Sequence, residues 1–473
     1  MTKPMDYTSV MGRKQEIMLG SIGLDFSQFE SGSIAFDYEA MMKEPNFSME
    51  EMMELQRKTG VGNTPIVELK NISTLARKCA PEGKGARIFI KDEACNASGS
   101  FKARRAATCC HKAKELGYKG VISATSGNYG AAVASQAAKL GLKCIIVQEC
   151  YDGRGTGQPE IVEKARKCEA LGAEVVQLTV GPELFYKFLL LLEETGYYNA
   201  SLYSPYAICG IETLGYELAM QFREQEGKDP DFVVATNAGG GNLTGTARGL
   251  KKAGAVNTKV VAASVDLTGL HMASDEAFNK KSFTTGHTGF GVPFTTWPDR
   301  SDVPRSAARP LRYMDRYVTI TQGDVFYITE CLATLEGLEK GPAGNTSLAA
   351  AFAIAQEMDE DMIICVQETE YTGAGKHVQP QLDFARKNGI DIYFGDPKEE
   401  IPGKNIVLPA HPSQIKATDL DLDRMRTSLI KTALKSYEVN PTEEDCKFLA
   451  EDANTTVDFV KAQIENLKNK ICK

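Results

Sequence analysis

The chain has little of several things that would point to a particular chemistry. It holds one tryptophan and five histidines in 473 residues, and the histidines are dispersed. None of its 12 cysteines falls in a Cys-x-x-Cys pair, so neither a zinc cage nor a disulfide framework is expected, and no metal is assigned. There is no basic excess: 54 Lys and Arg stand against 62 Asp and Glu, a net charge of −8, which argues against general nucleic-acid binding. Long apolar runs are missing too. Stretches such as Cys144 to Val147 and Phe188 to Leu192 fall far short of the roughly 20 residues of a spanning helix, so no membrane role is expected. The start, MTKPMDYTSVMGRKQE, has no apolar stretch of the kind a secretory signal needs, so reduced thiols in the cytoplasm are the expectation.

What is present is a regular alternation. Strand-like runs occur at Arg87 to Ile90, Val121 to Ser123, Cys144 to Val147, Glu174 to Val176, Phe232 to Ala235, Val260 to Ala263 and Met362 to Val366. Between them lie segments with apolar residues at three and four spacing, among them Tyr129 to Leu140 and Pro159 to Leu171. This predicts an α/β fold with mainly parallel sheets covered by helices. Residues 1–60 and 401–473 are charged and poor in strand signals, and read as helical extensions packed on the core or on another subunit.

In such sheets ligands bind outside the carboxyl ends of the strands, where strands meet helices. Three loops there carry chemistry. Ala238-Gly-Gly-Gly-Asn-Leu-Thr-Gly245 allows a tight turn with bare N–H groups at a helix start, a phosphate cradle, and lacks the lysine and spacing of a nucleotide-hydrolysing loop. Ser123-Ala-Thr-Ser-Gly-Asn-Tyr-Gly130 gathers hydroxyl, amide and backbone donors suited to a carboxylate or phenolate; alone, it reads equally as a helix cap. In KDEACNASGSFKARRA, Lys102 opens a helix directly after Ser98, Gly99, Ser100 and Phe101, while Arg104 and Arg105 read as surface charges. A lysine so placed, beside the other two loops, suits an amino-acid enzyme that links pyridoxal 5′-phosphate through a Schiff base.

The ordered set Gly62-Asn-Thr-Pro65, Lys91-Asp-Glu93, Ser98-Gly-Ser-Phe-Lys102, Ser126-Gly-Asn128 and Gly239-Gly-Gly-Asn242 resembles the fold-type II pyridoxal-phosphate family, the tryptophan synthase β-like fold shared by threonine synthase and cysteine synthase. The resemblance runs from about residue 60 to about 395. It implies a large cofactor domain from residues 61–100 and 205–400, and a small α/β domain inserted at 101–204. It also implies that Lys102 carries the cofactor, that Asn128 bonds its ring oxygen, and that Gly239, Gly240, Gly241, Asn242 and Leu243 hold its phosphate. Thr125, Ser126 and Tyr129 would flank the substrate carboxylate. Thr369 is favoured as the hydroxyl beside the ring nitrogen, with Glu368 and Thr372 as alternatives.

Longer runs, including VMGRKQEIMLGSIGLDFSQFESGSIAFDYEAMM and IIVQECYDGRGTGQPEIVEKARKCEALGAEVVQLTVGPELFY, are similar to a two-subunit acyltransferase branch of that family. That resemblance implies thiolysis of 2-amino-4-oxopentanoate by coenzyme A to acetyl-CoA and D-alanine, in ornithine degradation, with a smaller partner subunit and self-association. A β-eliminating or β-replacing lyase and a non-catalytic scaffold subunit are the alternatives. For the coenzyme A phosphates, Arg305, Arg309 and Arg312 are candidates in a segment with Arg300 and Arg316; the plain alternative is a solvated loop whose arginines pair with surface carboxylates. Lys281 to Gly291 reads as a mobile lid, and its His287 as a structural or solvent-facing residue.

Overall fold

The computed structural model describes residues 3–125, 127–267, 283–284, 302–368, 370, 378–437 and 440–471. Its strands are β1 (Ile66–Glu68), β2 (Arg87–Asp92), β3 (Gly120–Thr125), β4 (Lys143–Tyr151), β5 (Glu174–Thr179), β6 (Tyr198–Asn199), β7 (Phe232–Thr236), β8 (Lys259–Val265), β9 (Arg316–Ile320), β10 (Ile363–Glu368), β11 (Asp391–Gly395), β12 (Asn405–Pro409) and β13 (Thr418–Asp419).

They form a seven-stranded sheet in the order β1-β2-β10-β7-β8-β9-β13, a four-stranded sheet β5-β4-β3-β6, and the pair β11-β12. The central pairings are parallel, and only the edge strands β1 and β13 run antiparallel to their neighbours. All three pairings of the four-stranded sheet are parallel as well. Central strands such as β7 (FVVAT) and β10 (IICVQE) are near-continuous apolar runs because helices cover both of their faces. The edge strand β5 is nowhere fully buried, and its sequence is correspondingly mixed.

Small residues decide how closely the helices approach. The helix Thr346–Ala355, TSLAAAFAIA, is buried along its whole length and packs on the large sheet. The helices Pro205–Glu226 and Gly241–Lys252 touch backbone to backbone: a Cβ on Gly249 would collide with the Glu212 carbonyl, and one on Gly215 with the Thr246 carbonyl. This contact sets the position of the second helix, whose first turn is the glycine loop after β7.

The extensions are built into the molecule. Tyr38 donates to the Ala307 carbonyl at 2.9 Å, and the Asp445 carboxylate accepts from the backbone N–H groups of Ile34 (2.7 Å) and Ala35 (2.9 Å), so the two ends meet each other and the segment before β9. The segment from residue 401, expected to be helical throughout, first supplies β12 and β13; both are short, which hid them in a charged stretch. No helix among the described residues is long and apolar enough to cross a membrane, and no cluster of His, Cys, Asp and Glu there could hold a metal ion.

Candidate active site

Lys102 is the first residue of the helix Lys102–Glu115, and the loop before it is held by a buried charge network. Arg104 donates to both oxygens of Glu93, from Nε at 2.8 Å and Nη2 at 2.7 Å, and from Nη2 to Glu217 at 3.1 Å. Lys91 reaches Glu217 and the Thr64 carbonyl, each at 2.5 Å. Glu217 in turn accepts from the backbone N–H groups of Asn63 and Thr64, and Asn96 ties Gly62 to Glu93. Burial opposes ionisation of Glu217, but Arg104 and Lys91 outweigh it and hold the carboxyl down at about 2. The motifs Gly62-Asn-Thr-Pro65 and Lys91-Asp-Glu93 thus act from beneath, fixing the loop that presents Lys102.

Lys102 is half-buried, its ammonium 4.3 Å from the centre of the Phe101 ring. Burial pushes its pKa down from 10.5 to about 7; Glu370 opposes the shift, and Arg105 and Lys164 add to it. Near neutral pH the amine is therefore free to attack a carbonyl part of the time.

The glycine loop leads from β7 into the helix Gly241–Lys252, and its shape excludes side chains. A Cβ on Gly239 would strike the Tyr203 hydroxyl and one on Gly240 the Pro310 ring, while one on Gly241 would lie 2.8 Å from Arg105 Nη2. Gly240 also has a left-handed φ of +78°. The first-turn N–H groups of this helix have no acceptor within it and mark its positive end. Leu243 is buried in the core, so it has only its backbone to offer a ligand.

The loop after β3 brings the third set. Asn128 opens the helix Asn128–Leu140 and is buried. The Thr125 hydroxyl accepts from Gly127 N at 3.0 Å, and Tyr129 is packed into the core. A Cβ on Gly127 would lie 2.5 Å from Lys164 Cδ, and Lys164 pairs with Glu160 at 2.5 Å. Lys164 therefore lies against this loop while its charge helps lower the Lys102 pKa, and Arg105 does the same from beside the glycine loop. Ser98 Oγ, Ser100 Oγ, Asn128 Oδ1 and both amide atoms of Asn242 are buried with no partner among the described residues. Each unsatisfied group costs about 1–3 kcal/mol. A ligand with a phosphate, a ring oxygen and an aldehyde would satisfy the donors, the amide and the amine together.

Ser126, Thr369, Thr372, Arg300 and most of the expected lid, with His287, lie outside the described residues; of the lid, Phe283 and Thr284 are described, and both are buried. Three expectations are corrected. Arg104 and Arg105, expected at the surface, are 0% and 2% exposed. Arg305, Arg309 and Arg312, candidates for coenzyme A phosphates or else for a solvated loop with carboxylate partners, are tied to the extensions. Arg309 pairs with Asp452 at 3.0 Å, Arg312 with Glu451 at 2.6 Å, and Arg305 lies over the Phe36 ring at 5.1 Å. Arg316 is not in that loop but opens β9. Sequence reasoning missed Lys164, Glu370 and the role of Arg105 altogether. Only Arg105 left a signal, since it lies one helical turn beyond Lys102.

The family described as "Pyridoxal-phosphate dependent enzyme" matches residues 57–369. The chain is 71% identical over 469 residues, 99% of its own length and 100% of the relative's, to a "2-amino-4-ketopentanoate thiolase beta subunit" of Acetoanaerobium sticklandii. A second protein of that name, from an unknown prokaryotic organism, is 65% identical over 99% of both chains. Among solved structures, serine racemase from Dictyostelium discoideum shares the fold, with a TM-score of 0.52, 20% identity, and coverage of 68% of this chain and 97% of that one. A match that spans every loop described above leaves one conclusion: the chain belongs to the pyridoxal-phosphate dependent enzyme family and is an enzyme of the fold-type II class.

Proposed function

We propose that this enzyme catalyses thiolysis of 2-amino-4-oxopentanoate by coenzyme A, yielding acetyl-CoA and D-alanine in ornithine degradation. The observation that carries the proposal is the 71% identity to a 2-amino-4-ketopentanoate thiolase beta subunit over 99% of this chain. The words "beta subunit" in that relative's name support a partner subunit.

In this reading Lys102 attaches the cofactor, the N–H groups from Gly239 to Leu243, with Asn242, bind its phosphate, Asn128 bonds its ring oxygen and Thr369 faces its ring nitrogen. Thr125, Ser126 and Tyr129 border the substrate carboxylate. The bound cofactor supplies an electron sink for a carbanion next to the amino-bearing carbon. Lys102, with its pKa near 7, is suited to take the Cα proton and return one. The coenzyme A thiolate attacks the C4 carbonyl, the S–C4 bond forms and the C3–C4 bond breaks. The electron pair of that bond stays with C3, which takes a proton, so the acetyl group leaves on sulfur and a three-carbon amino acid remains. No enzyme thiol is needed. Burial pushes up the thiols of Cys109, Cys144, Cys150, Cys168 and Cys365, to between about 11 and about 12, which keeps them protonated and unreactive.

The test is to mix the holoenzyme, with and without its smaller partner, with 2-amino-4-oxopentanoate and coenzyme A and to follow acetyl-CoA and alanine in equal amounts. Cofactor bound but no acetyl-CoA in either mixture would reject the proposal in favour of a β-eliminating or β-replacing lyase.

A further inference from the structure

Arg105 is a buried cation without a counter-ion among the described residues. It is 2% exposed, yet it forms no ion pair among the described residues. Its one described hydrogen bond is a long one, from Nη1 to the Leu202 carbonyl at 3.4 Å, and its Nε has no partner. The groups that face it are the hydroxyls of Tyr203 and Tyr129 and the thiol of Cys109, none of them a carboxylate, and burial accordingly pushes its pKa down. Removing a guanidinium from water without a partner anion is strongly unfavourable, so the arrangement calls for an anion that none of the described residues supplies.

The position of the group says where that anion sits. Arg105 and Lys102 lie one turn apart on the same helix face and share the Phe101 ring, at 5.3 and 4.3 Å from its centre. Arg105 Nη2 lies 2.8 Å from where a Cβ on Gly241 would be, against the first residue of the helix Gly241–Lys252. The unpaired first-turn N–H groups of that helix are thus beside the guanidinium. Tyr203 faces both Arg105 and Gly239, which closes the same cup from the third side.

We propose that Arg105 is a direct ligand of the cofactor's phosphate and adds a full positive charge to the cup formed by Gly239 to Leu243. This rests on the cofactor placement given under Proposed function. A backbone cup offers only partial charges, whereas a guanidinium fork matches two phosphate oxygens at once. Arg105 therefore makes the site select for the phosphorylated form of the cofactor, and it fixes the distance between the phosphate and the Lys102 amine from within a single helix turn.

The experiment compares the affinity of apoprotein for pyridoxal 5′-phosphate with that for pyridoxal, which has no phosphate, in wild type, Arg105→Gln and Arg105→Lys. Loss of one charge-assisted contact predicts that the ratio of the two affinities falls about 10- to 100-fold in Arg105→Gln. Arg105→Lys should recover part of that loss, and pyridoxal binding should change by less than about threefold, which loss of one such contact would exceed. An unchanged ratio in Arg105→Gln overturns the proposal. Should that variant not fold, as judged by circular dichroism, the phosphorus NMR signal of the wild-type holoenzyme decides. It should stay at the dianion position below pH 6, where a free phosphate monoester takes up a proton at about 6. A signal that titrates near the free value overturns the proposal. A Lys102→Ala arm separates the two readings. If it keeps the visible absorbance of the lysine-linked cofactor, the cofactor placement itself is wrong; if it loses that band while the Arg105→Gln ratio is unchanged, only the role of Arg105 fails.

Discussion

Arg104 and Arg105 are neighbours in sequence and equally hidden from solvent, yet the two faces of their helix do opposite things. On one face Arg104 meets two carboxylates, Glu93 and Glu217, with Lys91 joining the second, and nearly every donor there has an acceptor in the chain. On the other, Lys102 has a depressed pKa, and among the described residues Arg105 has no carboxylate and Ser100, Asn128 and Asn242 keep buried atoms without partners. A buried charge with its counter-ions is a structural device; buried polar groups that the fold leaves unmatched mark the place reserved for a ligand. Burial alone does not separate the two, and only the census of partners does.

The largest effect expected from breaking this contrast is at Lys102. Lys102→Met should lower turnover by about 10³-fold or more, with the apoprotein no less stable than wild type in urea. The same variant tests the pKa. Because the folded ammonium titrates at about 7 and the free one at 10.5, the unfolded chain holds a proton across this range that the folded chain has released. Apoprotein stability therefore gains a contribution that rises with pH from about 7 to about 10.5, and Lys102→Met should lack it. Identical pH slopes for the two proteins would show that the site does not depress the amine.

Glu217→Gln should show the opposite pattern. Leaving Lys91 and Arg104 a carboxylate short inside the protein should lower stability by about 3–5 kcal/mol, read from urea unfolding of the apoprotein. Cofactor affinity per folded molecule should hold. A loss under about 1 kcal/mol would mean that the network does not support the loop as argued. A smaller effect, on the function side, is expected at Gly240. An alanine there must adopt a left-handed backbone and press on Pro310, which should weaken cofactor affinity by about 1–2 kcal/mol. Binding equal to wild type in a calorimetric titration would show that the cup tolerates a side chain.

Much of this was readable in advance because each motif is local. A strand, a turn and a helix start lie within a few residues of each other, so the loops ending in Gly239–Asn242 and Ser126–Asn128, and Lys102 itself, could be picked out by residue type and order. The strands β2, β3, β4, β5, β7, β8 and β10 were legible for the same reason, since each carries a short apolar run within its few residues. What stayed hidden depends on distant partners. Arg104 meets Glu217 across 113 positions and Arg309 meets Asp452 across 143, and nothing near either arginine distinguishes it from a surface residue. The partners of the arginines at 305–312 stayed hidden on that account, and Lys164 was missed, because its place against Gly127 follows from packing of the helix Pro159–Ala170.

By itself, then, the sequence determined the α/β class and the cofactor and singled out Lys102 as a candidate, because periodicity and loop chemistry are properties of short stretches. The tertiary structure alone decided which cations are satisfied. Arg104 and Arg105 are the same residue type in adjacent positions, and helix geometry turns them about 100° apart, one toward two acids and the other toward a glycine cup. A charge is defined by what surrounds it, and the surroundings are assembled only when the chain folds.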